Sequence, residues 1–512
     1  MTLEAAIRPQ RTHPKTFAVK AATMLTQLVV PIVVGGYTIL DDGDLADLLT
    51  YFLPLIVVVI GLQFVLAYLQ WTRLTYEVRE SDIRVESGLL SRAARSVPYE
   101  RIQDVSVEQK LIPRLFGLVE VKFETGAGGG DDLKLAYLTE AEGDRLRDTV
   151  KARREGREVS EAAVEVEVER AEANVLFAMP PRRVLTFGLF EFSLAVVAVV
   201  FGAVQQLDFL IDFDLWDIDE WQQRLAGPEQ YLAGLGPLAQ FVGIAAGVAA
   251  LLAVGVTTGI VRTALREWNF LLERTETGLR RRRGLVTRTD VVMPIHRVQA
   301  LRLKTSFVRR LFGWYGLGVV SLASDSASAN HEAAPFARMQ EIEPIAATTG
   351  FALPSGEMCW NRRSAKASVD GALINLAFTG AIAIPVWLFS PLWWSALVPL
   401  SIGVLGAVRE YYLYRFDRHS LGDRFIYSRH GWLAPKTTIG SRVRFQSVEI
   451  KQGPLAKLRG YAVLKLGLAG GTFEVEAMPV EQAQRWRSAI LDSIATTDFS
   501  QMLERKPSDA QV

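Results

Sequence analysis

The sequence predicts a membrane protein of the α+β class. It predicts six transmembrane helices in three hairpins. Each hairpin is followed by a strand-rich cytoplasmic module that ends in a helix. Three observations predict this: one block recurs three times, paired apolar stretches precede each copy, and strand-like alternation flanks each block. Of the 512 residues, 49% are hydrophobic and 22% are charged. The two kinds are segregated along the chain, as is typical of a membrane protein with sizeable polar domains.

The recurring block reads PYERIQDVSVEQKLIPRLFG in its first copy, Pro98–Gly117, and returns at Pro294–Gly313 and Ser441–Gly460. The three copies align without a gap. Because each copy of an internal repeat is one structural unit, the chain is one module written three times. The motif arginines and glutamines coincide in the alignment: Arg101, Arg297 and Arg444, and Gln103, Gln299 and Gln446.

Six apolar segments form three pairs, and each segment is close to or longer than the ~20 residues that cross a bilayer. Buried core helices are the alternative, but they rarely run this long without a charged face. Arg and Lys flank the outer ends of each pair, whereas the loop DDGDLAD within the first pair is acidic. By the positive-inside rule we predict a bacterial plasma-membrane protein with both termini and all modules cytoplasmic. The predicted spans are Phe17–Leu40, Leu49–Gln70, Val184–Leu207, Tyr231–Val261, Val369–Phe389 and Leu392–Tyr414.

These segments divide the chain. Within module 1, Val119–Glu124 and Leu133–Tyr137 alternate as a hairpin, and Thr139–Val150 opens with a capping-box signature for a helix. The closing helix of module 2, near Phe336–Thr348, is interrupted by Pro344. The predicted divisions are hairpin 1 within 1–70, module 1 at 71–150, a charged linker at 151–183, hairpin 2 at 184–262, module 2 at 263–350, a linker at 351–368, hairpin 3 at 369–414, module 3 at 415–498 and a disordered tail at 499–512.

With its motif P-x-x-R-[IV]-Q-x-[VL] followed by [RK]-L-x-G, the chain resembles the bacterial membrane-flanked domain family of YdbT-type proteins. The module of that family is a bacterial pleckstrin-homology-like domain. Copy three departs at Ser441, Phe445 and Arg459. The resemblance implies a β-sandwich or barrel, in which a strongly bent antiparallel sheet is closed by a C-terminal helix. It also implies a smaller single-module membrane protein as a partner, a role in envelope maintenance or defence, and no established catalytic site. A fold alone is a weak guide to function.

Three sets of residues are candidates for function. The motif arginines and glutamines form either a structural corner between strands or a polar surface that docks a neighbouring module, a partner chain or a lipid headgroup. The basic run Arg280, Arg281, Arg282 and Arg283, with Arg288 across a hairpin, is either a patch for anionic lipids or a solvated strand face. Glu191 falls inside the third span, where a carboxylate is costly; it is protonated, paired with a group such as Gln240, or near the interface.

Catalytic and metal signatures are absent from the sequence. The five histidines show no metal-ligand spacing, and the one cysteine, Cys359, excludes a disulfide framework and a cysteine-rich zinc site. We therefore expect no enzyme activity, no cofactor, no metal and no nucleic-acid partner.

The predicted function is that of a non-catalytic membrane scaffold. Its three modules would bind anionic lipid headgroups, one another or partner proteins, in a homo- or hetero-oligomer. The alternative is a transport or lipid-handling protein with a path through the six spans. The intramembrane polarity of the sequence, mainly Glu191 and a few amides, is thin support for such a path.

Overall fold

A computed structural model of the chain describes residues 10–41, 48–88, 93–125, 133–154, 174–192, 237–275, 278–321, 330–356, 358–390, 392–469 and 471–497. A few side chains inside helices and strands, including that of Gln103, fall outside this description.

All three units repeat one order of described elements: a short strand, two helices, three strands, a 3₁₀ turn with a fourth strand, a short helix, a β-hairpin and a closing helix. Unit 1 contains β1 (Gln10–Arg11), α1 (Lys15–Asp41), α2 (Leu53–Arg73), β2 (Thr75–Val78), β3 (Asp82–Ser87), β4 (Ala93–Pro98), β5 (Ile102–Gln109), α3 (Leu111–Leu115), β6 (Leu118–Thr125), β7 (Leu133–Thr139) and α4 (Glu140–Arg154). Unit 2 contains β8 (Asn174–Ala178), α5 (Pro181–Leu189), α6 (Pro237–Glu267), β9 (Leu271–Thr275), β10 (Gly278–Arg283), β11 (Arg288–Met293), β12 (Val298–Lys304), α7 (Phe307–Leu311), β13 (Tyr315–Ser321), β14 (Asn330–Ala337) and α8 (Met339–Thr348). Unit 3 contains β15 (Asn361–Arg362), α9 (Ala365–Phe389), α10 (Leu397–Phe416), β16 (Arg418–Leu421), β17 (Phe425–His430), β18 (Lys436–Ser441), β19 (Ser447–Lys451), α11 (Pro454–Arg459), β20 (Tyr461–Leu468), β21 (Gly471–Pro479) and α12 (Val480–Ala495).

The local signals of module 1 are confirmed, whereas the interruption predicted at Pro344 in module 2 is wrong. The predicted hairpin of module 1 is β6 paired with β7. Its closing helix begins with the predicted capping box, since the Glu142 amide donates to Thr139 Oγ1 and the Thr139 amide donates to Glu142 Oε2. The closing helix of module 2 runs through Pro344, and its buried Ile342 and Ile345 hold it on the sheet. Packing there offsets the hydrogen bond that a proline removes.

Four of the described helices are long and apolar enough to cross a membrane: Thr50–Arg73, Phe241–Glu267, Ala365–Phe389 and Trp394–Phe416. They coincide with predicted spans two, four, five and six, and α1, with 27 residues, coincides with predicted span one. The chain is a membrane protein with transmembrane helices. Its six spans in three hairpins stay a prediction.

The predicted start of the third span is wrong. Helix α5 ends at Leu189, and its Val184 and Phe187 are buried against module 2 instead of facing lipid. The apolar residues that begin the predicted span therefore belong to the core of the module. The remainder of that predicted span, from residue 193 onwards, lies outside the described residues.

The first strand of each unit comes before its hairpin, which corrects the predicted boundaries. Strand β8 lies inside the predicted charged linker and pairs with β9, and β15 lies inside the predicted linker at 351–368 and pairs with β16. Strand β1 pairs with β2 in the same way. In each unit two described helices thus lie in the chain between the first and second strands of the sheet, so the chain connects helices and sheet at two points.

The modules share their sheets. One seven-stranded sheet has the order β7-β6-β5-β11-β10-β9-β8, and another has the order β14-β13-β12-β18-β17-β16-β15. In each, the second half of one module pairs with the first half of the next, antiparallel, through β5 with β11 and β12 with β18. Buried side chains cross the second junction, since Ala300 and Val320 of module 2 pack in one cluster with Phe445 of module 3. The three modules therefore form one continuous structure.

Glycine allows close packing of α9 and α10 in hairpin 3. A Cβ at Gly403 would lie 2.1 Å from Thr379 Oγ1, whereas a Cβ at Gly380 would have no described atom within 4 Å. Small residues at such positions let transmembrane helices approach closely.

We expect Gly403→Ala to destabilise hairpin 3 by about 1–2 kcal/mol, because the added methyl overpacks a stiff β-branched neighbour. The matched variant Gly380→Ala should be neutral or slightly stabilising, since alanine favours a helix. Unfolding of the full chain in a detergent titration measures both. Equal effects at the two positions would contradict the packing role of Gly403.

Candidate functional site

The recurring block folds in the same way in each module. A single 3₁₀ turn carries the motif arginine, a strand follows, and a short helix ends at a glycine. The backbone of that glycine is left-handed in each copy, with φ of +70° at Gly117, +67° at Gly313 and +76° at Gly460. Glycine adopts this conformation without steric cost. The repeat in the sequence is therefore a repeat of local geometry.

The motif arginines and glutamines do not share one environment. The Arg444 guanidinium donates a hydrogen bond to the Val298 carbonyl of module 2 and lies over the Phe351 ring, 5.6 Å from its centroid. Burial lowers the pKa of Arg444. Gln299 is buried and donates to the Arg297 carbonyl over 3.4 Å. Arg101 and Gln446 are exposed, and the side chain of Gln103 lies outside the described residues.

These placements bear on both interpretations of the motif. Gln299 acts as an intramodule corner, whereas Arg444 bridges two modules. A common ligand site at all three copies is not what the geometry favours.

Three leucines of the block are exposed at the same position. Leu115, Leu311 and Leu458, called here the block leucines, lie in the last turn of the short helices and are 77%, 67% and 86% exposed. A basic residue precedes each of them: Arg114, Arg310 and Lys457. Large apolar side chains exposed at matching places on three modules indicate a surface that meets something apolar.

The residue after each block leucine contacts the first helix of its own hairpin or the turn beside it. Lys15 Nζ, at the start of α1, donates to the Phe116 carbonyl over 3.5 Å. The ring of Phe312 lies 5.6 Å from that of Phe190, just beyond α5, and Arg459 Nη2 lies 2.9 Å from Asp370 Oδ1 on α9. The block leucines therefore lie on the side of each module where the membrane helices begin. Sequence reasoning aligned these leucines and assigned them no role.

The basic run of β10 is paired with carboxylates. Arg280 bonds Asp290, and Arg282 bonds Glu273. On the opposite face of the strand, Arg283 bonds Glu267 and Glu332.

The remaining two arginines of this set differ in exposure. Arg281 is buried and donates to the Glu332 carbonyl, and burial lowers its pKa to about 9. Arg288 is exposed. Most of the positive charge of the run is balanced inside module 2, so the run is a poor anionic-lipid patch.

Glu191 lies at the junction of hairpin 2 and module 2. It is two residues beyond the end of α5, and its carboxylate pairs with the guanidinium of Arg309 on α7. That guanidinium also lies over the Phe187 ring, 4.8 Å from the centroid. Of the environments considered for Glu191, the structure favours a paired carboxylate near the interface, and its partner is a basic residue of the module.

Comparison with known proteins agrees with this repeating geometry. Residues 29–154, 232–349 and 371–494 each match the family model described as Bacterial PH domain. The chain belongs to the bacterial PH domain family. It is also 26% identical over 261 residues to the UPF0699 transmembrane protein YdbT of Bacillus subtilis (strain 168). That match covers 49% of this chain and 50% of the relative, so the chain spans about half the length of the curated relative it matches. No solved structure matches.

A buried ion network ties the third bacterial PH domain to its hairpin. Arg363, just before α9, lies 3.0 Å from a carboxylate oxygen of Glu410 on α10 and 3.8 Å from one of Asp417. Asp417 also accepts from the Gly431 amide and pairs with His430 Nδ1 at 2.9 Å. The hydrogen bond to Asp417 raises the pKa of His430. Buried charges of this kind are stable only when paired, so the network holds the hairpin and the bacterial PH domain in one arrangement.

Metal chemistry finds no support in the described part of these bacterial PH domains. Within those residues, no group of three or more histidine, cysteine, aspartate or glutamate side chains is placed to hold a metal ion.

Proposed function

We propose that this chain is a non-catalytic membrane scaffold that presents three cytoplasmic bacterial PH domains as one surface, for protein assembly or for contact with lipids of the inner leaflet. One observation carries the proposal: shared sheets join the three domains, and each domain places an exposed block leucine toward its membrane helices. A rigid array held against a bilayer presents several weak binding surfaces at once, which raises avidity.

The balance of charge supports contact through apolar side chains more than headgroup recognition. The Arg280–Arg283 run is mostly paired within module 2. The block leucines have no such partners among the described residues, and they stand beside basic residues that suit an anionic interface. Insertion of leucine into the interface is therefore the contact we propose.

Localisation and partners are proposed from the sequence and the family resemblance. We place the chain in the bacterial plasma membrane, with both termini cytoplasmic, on the distribution of basic residues. The family resemblance supports two further proposals: a smaller single-module membrane protein as a partner, and a role in envelope maintenance or defence. A path for transport through the spans is the alternative. The carboxylates Glu191, Asp370 and Glu410, near the helix ends, each pair with an arginine, which favours a structural use for them.

The depth of the block leucines in the bilayer tests the proposal. In a Cys359→Ser background, Leu115→Cys, Leu311→Cys and Leu458→Cys are each labelled with an environment-sensitive fluorophore in full-length protein in liposomes. We expect blue-shifted emission that lipids brominated near the headgroup quench, because the leucines lie in the interface. The control is Leu491→Cys, at an exposed leucine beside Asp492 on the charged helix α12.

The fluorophore at the control position should keep the emission wavelength that it has in water, and the brominated lipids should not quench it. If the three block positions behave like the control, the domains are not held against the membrane by these leucines, and the proposed surface is wrong.

A further inference from the structure

The strands that join neighbouring modules leave two strand edges without a partner in the described part of the chain. In both junctions the strand after the 3₁₀ turn of one module pairs with the strand before the 3₁₀ turn of the next module. These pairs are β5 with β11 and β12 with β18. Among the described residues, β4 is the last strand of the sheet β1-β2-β3-β4, and β19 is the outer strand of the sheet β19-β20-β21. Strand β19 is the counterpart of β5 and β12, and β4 is the counterpart of β11 and β18. One chain therefore carries an outer strand of each of the two kinds that pair in its internal junctions.

Exposure marks the same two edges. Ala93 to Ser96 of β4 are all exposed, whereas most of β18, its counterpart in module 3, is buried. Strand β19 is exposed at Ser447, Glu449 and Lys451, whereas Ala300, the counterpart of Ser447 in β12, is fully buried. An unpaired strand edge is a template for another strand.

The two internal junctions use one register. Val107 lies opposite Asp290 in the first, and Leu303 lies opposite Thr437 in the second. Aligned on the motif arginines, these are the same pair of positions. Agreement between two independent junctions fixes the pairing that a third one would have.

We infer that β19 of one chain pairs antiparallel with β4 of a second copy of this chain, in the register of the internal junctions. Ile450 then lies opposite Ala94 of the second copy, and Glu449 lies opposite Arg95. Ser447 lies opposite Val97, so the whole of β19 is matched by a strand of similar length.

This contact is head to tail, so it repeats. An interface between two different patches generates a closed ring or an open filament, depending on the rotation between copies. Both copies are held in the same membrane, which raises their effective concentration. The inference extends the proposed scaffold function, because it adds copies to an array that each chain already begins.

Cysteine cross-linking in native membranes tests the contact. Two differently tagged full-length chains, both in the Cys359→Ser background, are co-expressed, one with Ala94→Cys and the other with Ile450→Cys. We expect mild oxidation to give a reducible species that carries both tags. Replacing Ile450→Cys with Glu449→Cys should lower its yield by roughly tenfold, since a shift of one residue moves the side chain to the other face of the strand.

The equivalent internal pair is the positive control. Leu303→Cys with Thr437→Cys in a single chain should form an intrachain disulfide at the same position of the β12–β18 junction. If this bond forms and the intermolecular one does not, the second-copy contact is wrong and the shared sheets stand. If the internal bond fails as well, the shared sheets are wrong, and the inference falls with the proposed function. A Glu449→Cys yield equal to that of Ile450→Cys means random collision and also overturns the inference.

Discussion

Replacing Arg363 with methionine is expected to lower the free energy of unfolding of hairpin 3 and its bacterial PH domain by about 3 kcal/mol. The side chain is 11% exposed and lies between the carboxylates of Glu410 and Asp417, each 8% exposed. Its removal leaves two buried negative charges with less compensation. The effect falls at the low end for a broken buried pair because Glu410 keeps Arg409 and Asp417 keeps His430.

The matched control for Arg363→Met is Arg409→Met. Arg409 contacts the same carboxylate of Glu410 at 3.0 Å, but it is 57% exposed, so water screens its charge and its loss should cost less than about 1 kcal/mol. Thermal unfolding of the full chain in detergent measures both, and a shift of roughly 10 °C is expected for Arg363→Met. Arg363→Met combined with Glu410→Met should recover part of the loss. Equal losses for the two single variants would show that burial does not decide the strength of this network.

Acidification from pH 6.5 to pH 4 is expected to destabilise the second bacterial PH domain through His331. This residue is buried on β14; burial and the charges of Arg281, Arg283 and Lys122 lower its pKa to about 4. The neighbouring Glu332 is paired with Arg283 and does not prevent the shift.

The sign follows from which state binds the proton. The unfolded chain protonates this histidine below about pH 6.5, whereas the folded chain resists protonation until about pH 4. The unfolded state therefore binds more protons across this window, and stability falls as the pH falls. The pKa values of the histidine in the unfolded and folded states differ by about 2.5 pH units, which corresponds to a destabilisation of at most about 3 kcal/mol. This destabilisation is present in full below about pH 4 and absent above about pH 6.5.

His331→Gln should remove this dependence. The difference in Tm between wild type and variant is measured at pH 7, 5.5 and 4.5 in detergent, so that carboxylates common to both cancel. We expect the Tm of the variant to rise relative to that of the wild type as the pH falls. His430→Gln is the control of opposite sign, since the hydrogen bond to Asp417 raises the pKa of His430 and the stability it contributes is present at low pH and lost as the pH rises. If the Tm difference between wild type and His331→Gln does not change with pH, the histidine is exposed to water and the prediction is wrong.

Sequence reasoning reached the repeated unit but missed how the units join. The alignment on Arg101, Arg297 and Arg444 predicted three equivalent modules, and the geometry of the block confirms them. The shared sheets were not predictable, because strands that alternate in polarity do not reveal whether their partner lies in the same module or the next. The first strands, such as Asn361–Arg362, were missed because two to five residues before an apolar segment carry no periodicity.

Candidate residues show the same limit. The basic run from Arg280 was predicted as a lipid patch or a strand face, and only the fold shows Asp290, Glu273 and Glu267 beside it. Those carboxylates lie on other strands or on a helix, so their distance in space is not written in the local sequence. The block leucines coincide in the alignment, but only the fold shows that they are exposed and not part of the core.

By itself the sequence determined the class of protein, the number of modules, most of the membrane helices and the local turns of the block, since these depend on apolar length, periodicity and the residues next to one another in the chain. Only the tertiary structure decided that Glu191 pairs with Arg309, that Arg444 reaches the preceding module and that β4 and β19 are left as matching edges. Those contacts join residues far apart in sequence. Their existence depends on the path of the backbone, which sets which buried charge meets which partner and which strand edge remains open.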